Sequence, residues 1–241
     1  ATASGITYMF NSMKVFGQND DSKLIQDAFT KIEVTTNNAE VVIVPSKNSE
    51  ATVEYTGANK KHKYMFNVDV KGDTLFVHLQ QKRRFFFSFG FNSSDLKLTV
   101  NVPEKQYKNL QVKSDNGRIS VENLQCEGVM LETDNGLIQV KKVLAKAVHV
   151  ESDNGKIVLE DVKGEIQGET DNGQISLKTK KLEWPIDLAT DNGSITVKTG
   201  SVPDNATIDA KTDNGKVTIF GEKRQLSEVW HREISYKAEN R

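Results

Sequence analysis

Six carboxylates stand at nearly equal intervals along the second half of the chain: Asp115, Asp134, Asp153, Asp171, Asp191 and Asp213. Stacked in a regular fold they would line one edge and repel each other unless a cation lay between them, so Ca2+ binding is one chemistry this spacing could perform. Glu132, Glu151 and Glu169, each two residues before one of these aspartates, would form a second acidic row beside the first. Acid and base work on a glycan is another option, but it needs a carboxylate pair or triad at singular positions with a cation nearby. Here the carboxylates recur in every repeat, as structural residues do. The plainer reading is that each Asp side chain accepts N–H bonds of its own turn. His62, His78, His149 and His231 show no metal-ligand spacing, and no Ser/His/Asp, phosphate-loop or Cys/His signature is present. No catalytic residue, metal ligand, cofactor or small-molecule substrate is expected.

A second stretch of different chemistry is Arg83-Arg84-Phe85-Phe86-Phe87-Ser88-Phe89-Gly90-Phe91. If extended, it places Phe85, Phe87, Phe89 and Phe91 on one face beside Arg83 and Arg84, a composition suited to a membrane interface or an apolar protein partner. The alternative is a cap that folds over an open side or end of the fold and shields core and strand edges.

The elements that carry these residues follow from the repeat. Each aspartate opens the same phrase: Asp115-Asn116-Gly117, Asp134-Asn135-Gly136, Asp153-Asn154-Gly155, Asp171-Asn172-Gly173, Asp191-Asn192-Gly193 and Asp213-Asn214-Gly215, at steps of 19, 19, 18, 20 and 22 residues. A period near 20 residues marks a repeat architecture. Apolar residues alternate with polar ones on both sides of the phrase, as in Val129, Leu131, Thr133 before it and Ile138, Val140 after it, so each arm is a strand with one buried face. Through Asp-Asn-Gly the inward parity slips by one residue, which demands a corner, and Asn and Gly tolerate the left-handed backbone a corner needs. Asn-Gly is also a hairpin signal, so an antiparallel meander is the rival. A meander would leave a wide sheet with one apolar face and nothing helical to cover it, whereas coiling wraps both arms around a shared core.

The expected fold is therefore all-β: a single-stranded, right-handed β-helix or β-solenoid with coils of about 19 residues and Asp-Asn-Gly corners, stacked about 4.8 Å apart. In that stack Glu122, Lys141, Glu160 and Lys178 would alternate in sign along one column. Ser114, Thr133, Ser152, Thr170, Thr190 and Thr212 would form a buried hydroxyl column whose members bond each other or the turn backbone.

Composition agrees. The 241 residues are 37% apolar and 27% charged with 7% aromatic, enough for a core and short of helical periodicity. A net charge of −1 gives no case for nucleic acid, Cys126 alone allows no internal disulfide, and no apolar run is long enough to cross a membrane as a helix. Residues 1–25 read as an irregular lead-in. Ile32, Val34 and Thr36 before Asn37-Asn38-Ala39, with Val41 and Ile43 after, read as a diverged repeat, so the solenoid is expected over 26–221, irregular to about 103 and regular from about 108. Residues 222–241 read as a connection and a partial further coil, Ile234 and Tyr236 matching Ile208 and Ala210, with the native chain continuing or its end disordered.

The order of features, Val42 to Ser46, then Val70-Lys71-Gly72-Asp73-Thr74-Leu75, then Leu98 to Pro103, then serial Asp-Asn-Gly coils, resembles the bacterial "putative adhesin" family of unknown-function domains, which includes LiaG-like envelope proteins and toast-rack domains. The resemblance implies a non-enzymatic β-helix on the outer side of a bacterial membrane, anchored through a segment outside this chain, with a protein or membrane-surface partner and a link to envelope stress. The alternatives are a carbohydrate-active solenoid enzyme and a cation-dependent adhesive module.

Overall fold

The computed structural model describes residues 15–16, 21–58, 63–82, 96–201, 207–219 and 232–237. Of the first and last of these segments only the backbone is described. Among the described residues there is no helix. All strands join one 15-stranded sheet that coils around a single apolar core.

The regular part is built from long strands that bend. They are β9 (Gln106–Glu122), β10 (Gln125–Lys141), β11 (Leu144–Glu160), β12 (Lys163–Thr179), β13 (Ile186–Thr199) and β14 (Thr207–Ile219), each parallel to the one before. The register is one coil per repeat: Asn135 lies opposite Asn116 and Asn154, and Leu131 opposite Val112 and Val150. Each coil turns where its in-and-out alternation breaks. The first break is Asp-Asn-Gly. The second is a pair of outward residues, Lys108-Asn109, Glu127-Gly128 or Lys146-Ala147, and the third is Asn123, Lys142 or Asp161, whose φ values of 53°, 51° and 51° are left-handed. Three corners divide each coil into three sides. β12 omits the outward pair: Lys163 to Ile166 alternates strictly, Gly164 takes the bend at φ 129°, and the pairing shifts between Leu144 and Ala147. That omission accounts for the 18-residue step.

The N-terminal half stacks in a different order from the one expected. β3 (Lys31–Thr36), corner Asn37-Asn38-Ala39 and β4 (Glu40–Pro45) do form the diverged coil, parallel to β9 on one side. On its other side lie β7 (Thr74–Lys82) and β8 (Lys97–Val102), parallel to β3 and β4. Beyond them β6 (Lys63–Lys71) and β5 (Ala51–Thr56) are antiparallel to β7 and β8, and β1 (Val15–Phe16) and β2 (Asp21–Ile25) extend these two ladders. So coils do not wind consecutively from residue 26, and Asp21–Ile25 of the supposed lead-in is a strand. The cause is local: Gly72-Asp73 is a two-residue turn, Gly72 at φ 61°, and such a turn can join only antiparallel neighbours.

The C-terminal expectation also changes. β15 (Arg232–Lys237) pairs with β14 antiparallel, Ile234 opposite Ala210 and Tyr236 opposite Ile208. It is no further coil. The alternation that matched Ile208 and Ala210 in forward order fits equally well in reverse, because a period of two has no direction.

Candidate functional site

The Asp-Asn-Gly corner is the most regular surface feature of the molecule. Asn116 donates its side-chain N–H to Asn38 Oδ1 at 3.1 Å, and the pattern continues from Asn135 to Asn116, Asn154 to Asn135, Asn172 to Asn154, Asn192 to Asn172 and Asn214 to Asn192, at 3.0–3.3 Å. A carboxamide carries donor and acceptor on opposite sides of one flat group, so it spans the gap between coils, and a chain of such bonds polarises each member in the same sense. The glycines beside it permit the stacking. A Cβ on Gly136, Gly155, Gly173 or Gly193 would lie 1.7–1.8 Å from the carbonyl oxygen of the glycine below, and one on Gly215 would lie 1.6 Å away. Gly117 sits above Ala39, where the contact relaxes to 2.6 Å.

The hydroxyl column lies inside the same corner. Ser114, Thr133, Ser152, Thr170, Thr190 and Thr212 are all buried, but only Ser114 Oγ donates, to Asn116 O at 3.2 Å. The hydroxyls of the other five and of Thr36 have no partner. Contrary to expectation they do not bond each other, because coils stacked about 4.8 Å apart exceed the roughly 2.8 Å of an O–H···O bond. The aspartates differ too. Asp115, Asp134, Asp153, Asp171 and Asp191 are exposed, and among the described residues none accepts a turn N–H. The strand runs on through the corner, and its N–H groups bond to the coil below, as Asn116 N does to Asn37 O at 2.9 Å.

Charges of both signs lie on either side of the corner. Before the corner the register stacks Glu132, Glu151 and Glu169 in one column that continues as Ala189 and Lys211, while Asp187 and Asp209 stand in the neighbouring column with His149 and Gln167. Lys113 reaches Glu132 at 2.7 Å, which holds its ammonium above the usual lysine range, and His149 lies 3.6 Å from Glu151. After the corner Lys141, Lys178 and Lys198 share a column with Glu122 and Glu160, while Lys156 and Lys216 stand in the column of Leu137, Gln174 and Ser194. The register sets Lys141 and Lys178 opposite Glu160 as expected, but among the described residues no ion pair joins that column. Which of these charges share a column emerges only from the register of the coils. The asparagine ladder had a plainer signal: the first coil replaces Asp and Gly of the phrase but keeps Asn38.

Among the described residues no three His, Cys, Asp or Glu side chains gather where they could hold a metal ion. Two open recesses flank Lys105. One, about 460 Å3, is lined by Leu24, Asp27, Phe29, Glu50 and Pro103; the other, about 440 Å3, by Pro45, Val102, Leu124, Lys142 and Leu144. Lys105 itself is used inside the fold. It donates to Phe29 O and lies 5.1 Å from the rings of both Phe29 and Tyr107. Arg83, Arg84, Phe85, Phe87, Phe89 and Phe91 lie outside the described residues. In the chain they lie between β7, which ends at Lys82, and β8, which begins at Lys97.

A family model described as Toastrack DUF4097 matches residues 29–163 and, overlapping them, 119–240. No curated protein matches the chain. Among solved structures, a putative adhesin from Bacteroides fragilis is 15% identical, covering 84% of this chain and 97% of its own at a TM-score of 0.47. A putative cell adhesion protein from Clostridium sporogenes is 12% identical, covering 87% and 100% at 0.36. A putative lipid binding protein from Parabacteroides distasonis is 13% identical, covering 84% and 97% at 0.29.

Proposed function

The chain belongs to the Toastrack DUF4097 family, and from that premise we propose that it is a non-enzymatic, adhesin-like interaction module presented at the bacterial cell envelope. One observation carries the reading: the Asp and Asn of the corner recur coil by coil in register, whereas acid/base or nucleophilic catalysis needs a singular constellation. A surface of repeated columns suits multivalent contact with an extended partner. The names given to the Bacteroides and Clostridium structures agree with this reading, and that of the Parabacteroides structure adds a lipid surface as a partner class.

The Arg83–Phe91 stretch is the element we assign to that contact, because it interrupts the repeat where every regular coil closes in three residues. Retention of the labelled domain on isolated bacterial envelopes and on phosphatidylglycerol vesicles tests this. The variant Phe87→Asp with Phe89→Asp loses retention while its melting temperature stays near wild type. A collapsed melting temperature identifies the stretch as a cap, and release of reducing sugars from envelope glycans by the wild type overturns the non-enzymatic reading. Outward display is checked by protease accessibility on intact cells, and an envelope-stress role by induction of the chain under cell-wall antibiotics.

A further inference from the structure

Six Asn-Gly pairs line the corner, and the fold holds five of them differently from the sixth. An asparagine side chain is chemically labile, and a following glycine, with no Cβ, leaves its amide nitrogen free to reach that side chain. All six pairs follow an aspartate that is itself preceded by Ser or Thr, so the local sequence does not distinguish them. The ladder does. Asn116, Asn135, Asn154, Asn172 and Asn192 each donate a side-chain N–H to one neighbouring coil and accept one from the other. Asn214 donates to Asn192 Oδ1 at 3.1 Å and, among the described residues, accepts nothing. β15 stops opposite Thr212, so among the described residues no strand pairs with 213–219 on the side away from β13. Gly215 is accordingly exposed, whereas Gly117, Gly136, Gly155, Gly173 and Gly193 are half-buried.

We propose that the ladder is a site of spontaneous covalent modification that ages from this end, Asn214 losing its side-chain ammonia first and Asn192 next. The Gly215 amide gives its proton to water, and its nitrogen bonds to Asn214 Cγ. The Cγ–Nδ2 bond breaks and ammonia leaves with a proton returned from water, which closes a cyclic imide. Water then opens the ring at either carbonyl, giving aspartate, or isoaspartate with an extra methylene in the main chain; nothing is oxidised or reduced. Ring closure requires the carboxamide to leave the ladder. An interior asparagine must break two side-chain bonds between two coils, Asn214 one bond beside one coil, and local opening is easiest at such an end. The product at 214 is a carboxylate, which has no N–H to offer Asn192 Oδ1. Asn192 is then held by its bond to Asn172 alone.

Incubation of the whole chain at mildly alkaline pH, followed by peptide mapping, tests the proposal. Trypsin places each of the six pairs on a different peptide, so the mass gain from amide to acid and the isoaspartate content are read site by site. In the folded chain Asn214 converts roughly tenfold faster than Asn135, Asn154 or Asn172, the ratio that one net hydrogen bond supplies. In concentrated urea the six rates converge. The variant Asn214→Asp keeps cooperative melting and converts at Asn192 several-fold faster than wild type does. Equal rates at all six sites of the folded chain, or an interior site that leads, overturn the proposal without any variant. A ranking that persists in urea, or an Asn192 rate unmoved by Asn214→Asp, overturns it as well.

Discussion

Gly155 isolates the steric demand of the corner, because its φ is not left-handed and its only peculiarity is the carbonyl of Gly136 1.8 Å from where a Cβ would stand. Gly155→Ala must push two coils apart, and we expect a loss of about 3 kcal/mol or more in chemical denaturation. Gly72 is the converse: its φ is 61° but nothing lies within 4 Å, so Gly72→Ala should cost only about 1 kcal/mol, the strain of the left-handed backbone. Equal losses would mean that the corner glycines serve backbone conformation and not stacking. Cys126 gives a test in pH. It is buried, donates to Gly128 O at 3.0 Å, and burial pushes its thiol up to about 11 from 9.0. Tyr107, beneath it, is pushed up by burial in the same way. Between the two thiol values the unfolded chain releases a proton that the folded chain keeps, so stability falls as pH rises through that window. The thiol's share is on the order of 2 kcal/mol, and Cys126→Ala should flatten the profile by that share in alkaline urea titrations. A variant as alkali-sensitive as wild type would assign the effect to Tyr107.

At the scale of the element, a coil is the unit of exchange. Among the described strands β11, which with the link after it spans residues 144–162, pairs with β10 and β12 alone, and the register repeats from one pair to the next. Deleting those residues should leave a shorter protein that still melts cooperatively. Deleting only 144–153 should abolish cooperative melting, because it discards the arm before the corner and inverts the pairing. Survival of the half-coil deletion with a sharp transition would contradict the coil as unit. The same logic explains what was legible in the sequence. Coils that stack on their own predecessors carry their register in their spacing, so β9 to β14 and the diverged corner at Asn37-Asn38-Ala39 could be read directly. The placement of β7 and β8 beside β3 and β4 could not, since alternation says that Leu75, Val77, Leu98 and Val100 face a core and not which neighbour they meet. The hydroxyl column was read correctly as buried and, apart from the bond of Ser114 to the turn backbone, wrongly as bonded. Position was encoded in the repeat, and distance was not. The aspartates failed for a related reason: Asp-Asn-Gly looks like a turn whose N–H groups need a side chain, but the neighbouring coil already occupies them.

For the molecule as a whole, both ends of the parallel stack finish in antiparallel strands, β5 and β6 with β1 and β2 beyond them at one end and β15 at the other. A run of open parallel edges would template further pairing, and reversing direction with shorter strands blunts it. Growth by end-to-end stacking is thereby discouraged. The displaced position of β3 and β4 has a different consequence, in time. That coil leaves the ribosome before either of its neighbours in the stack, β7 with β8 on one side and β9 on the other. Its two open edges wait until residue 122 has been made, so nothing can propagate until a nucleus spanning roughly half the chain has closed around it. From then on each new coil needs only the one just finished. Synthesis of the second half can keep pace with folding, one turn at a time, on a template that the first half had to assemble out of order.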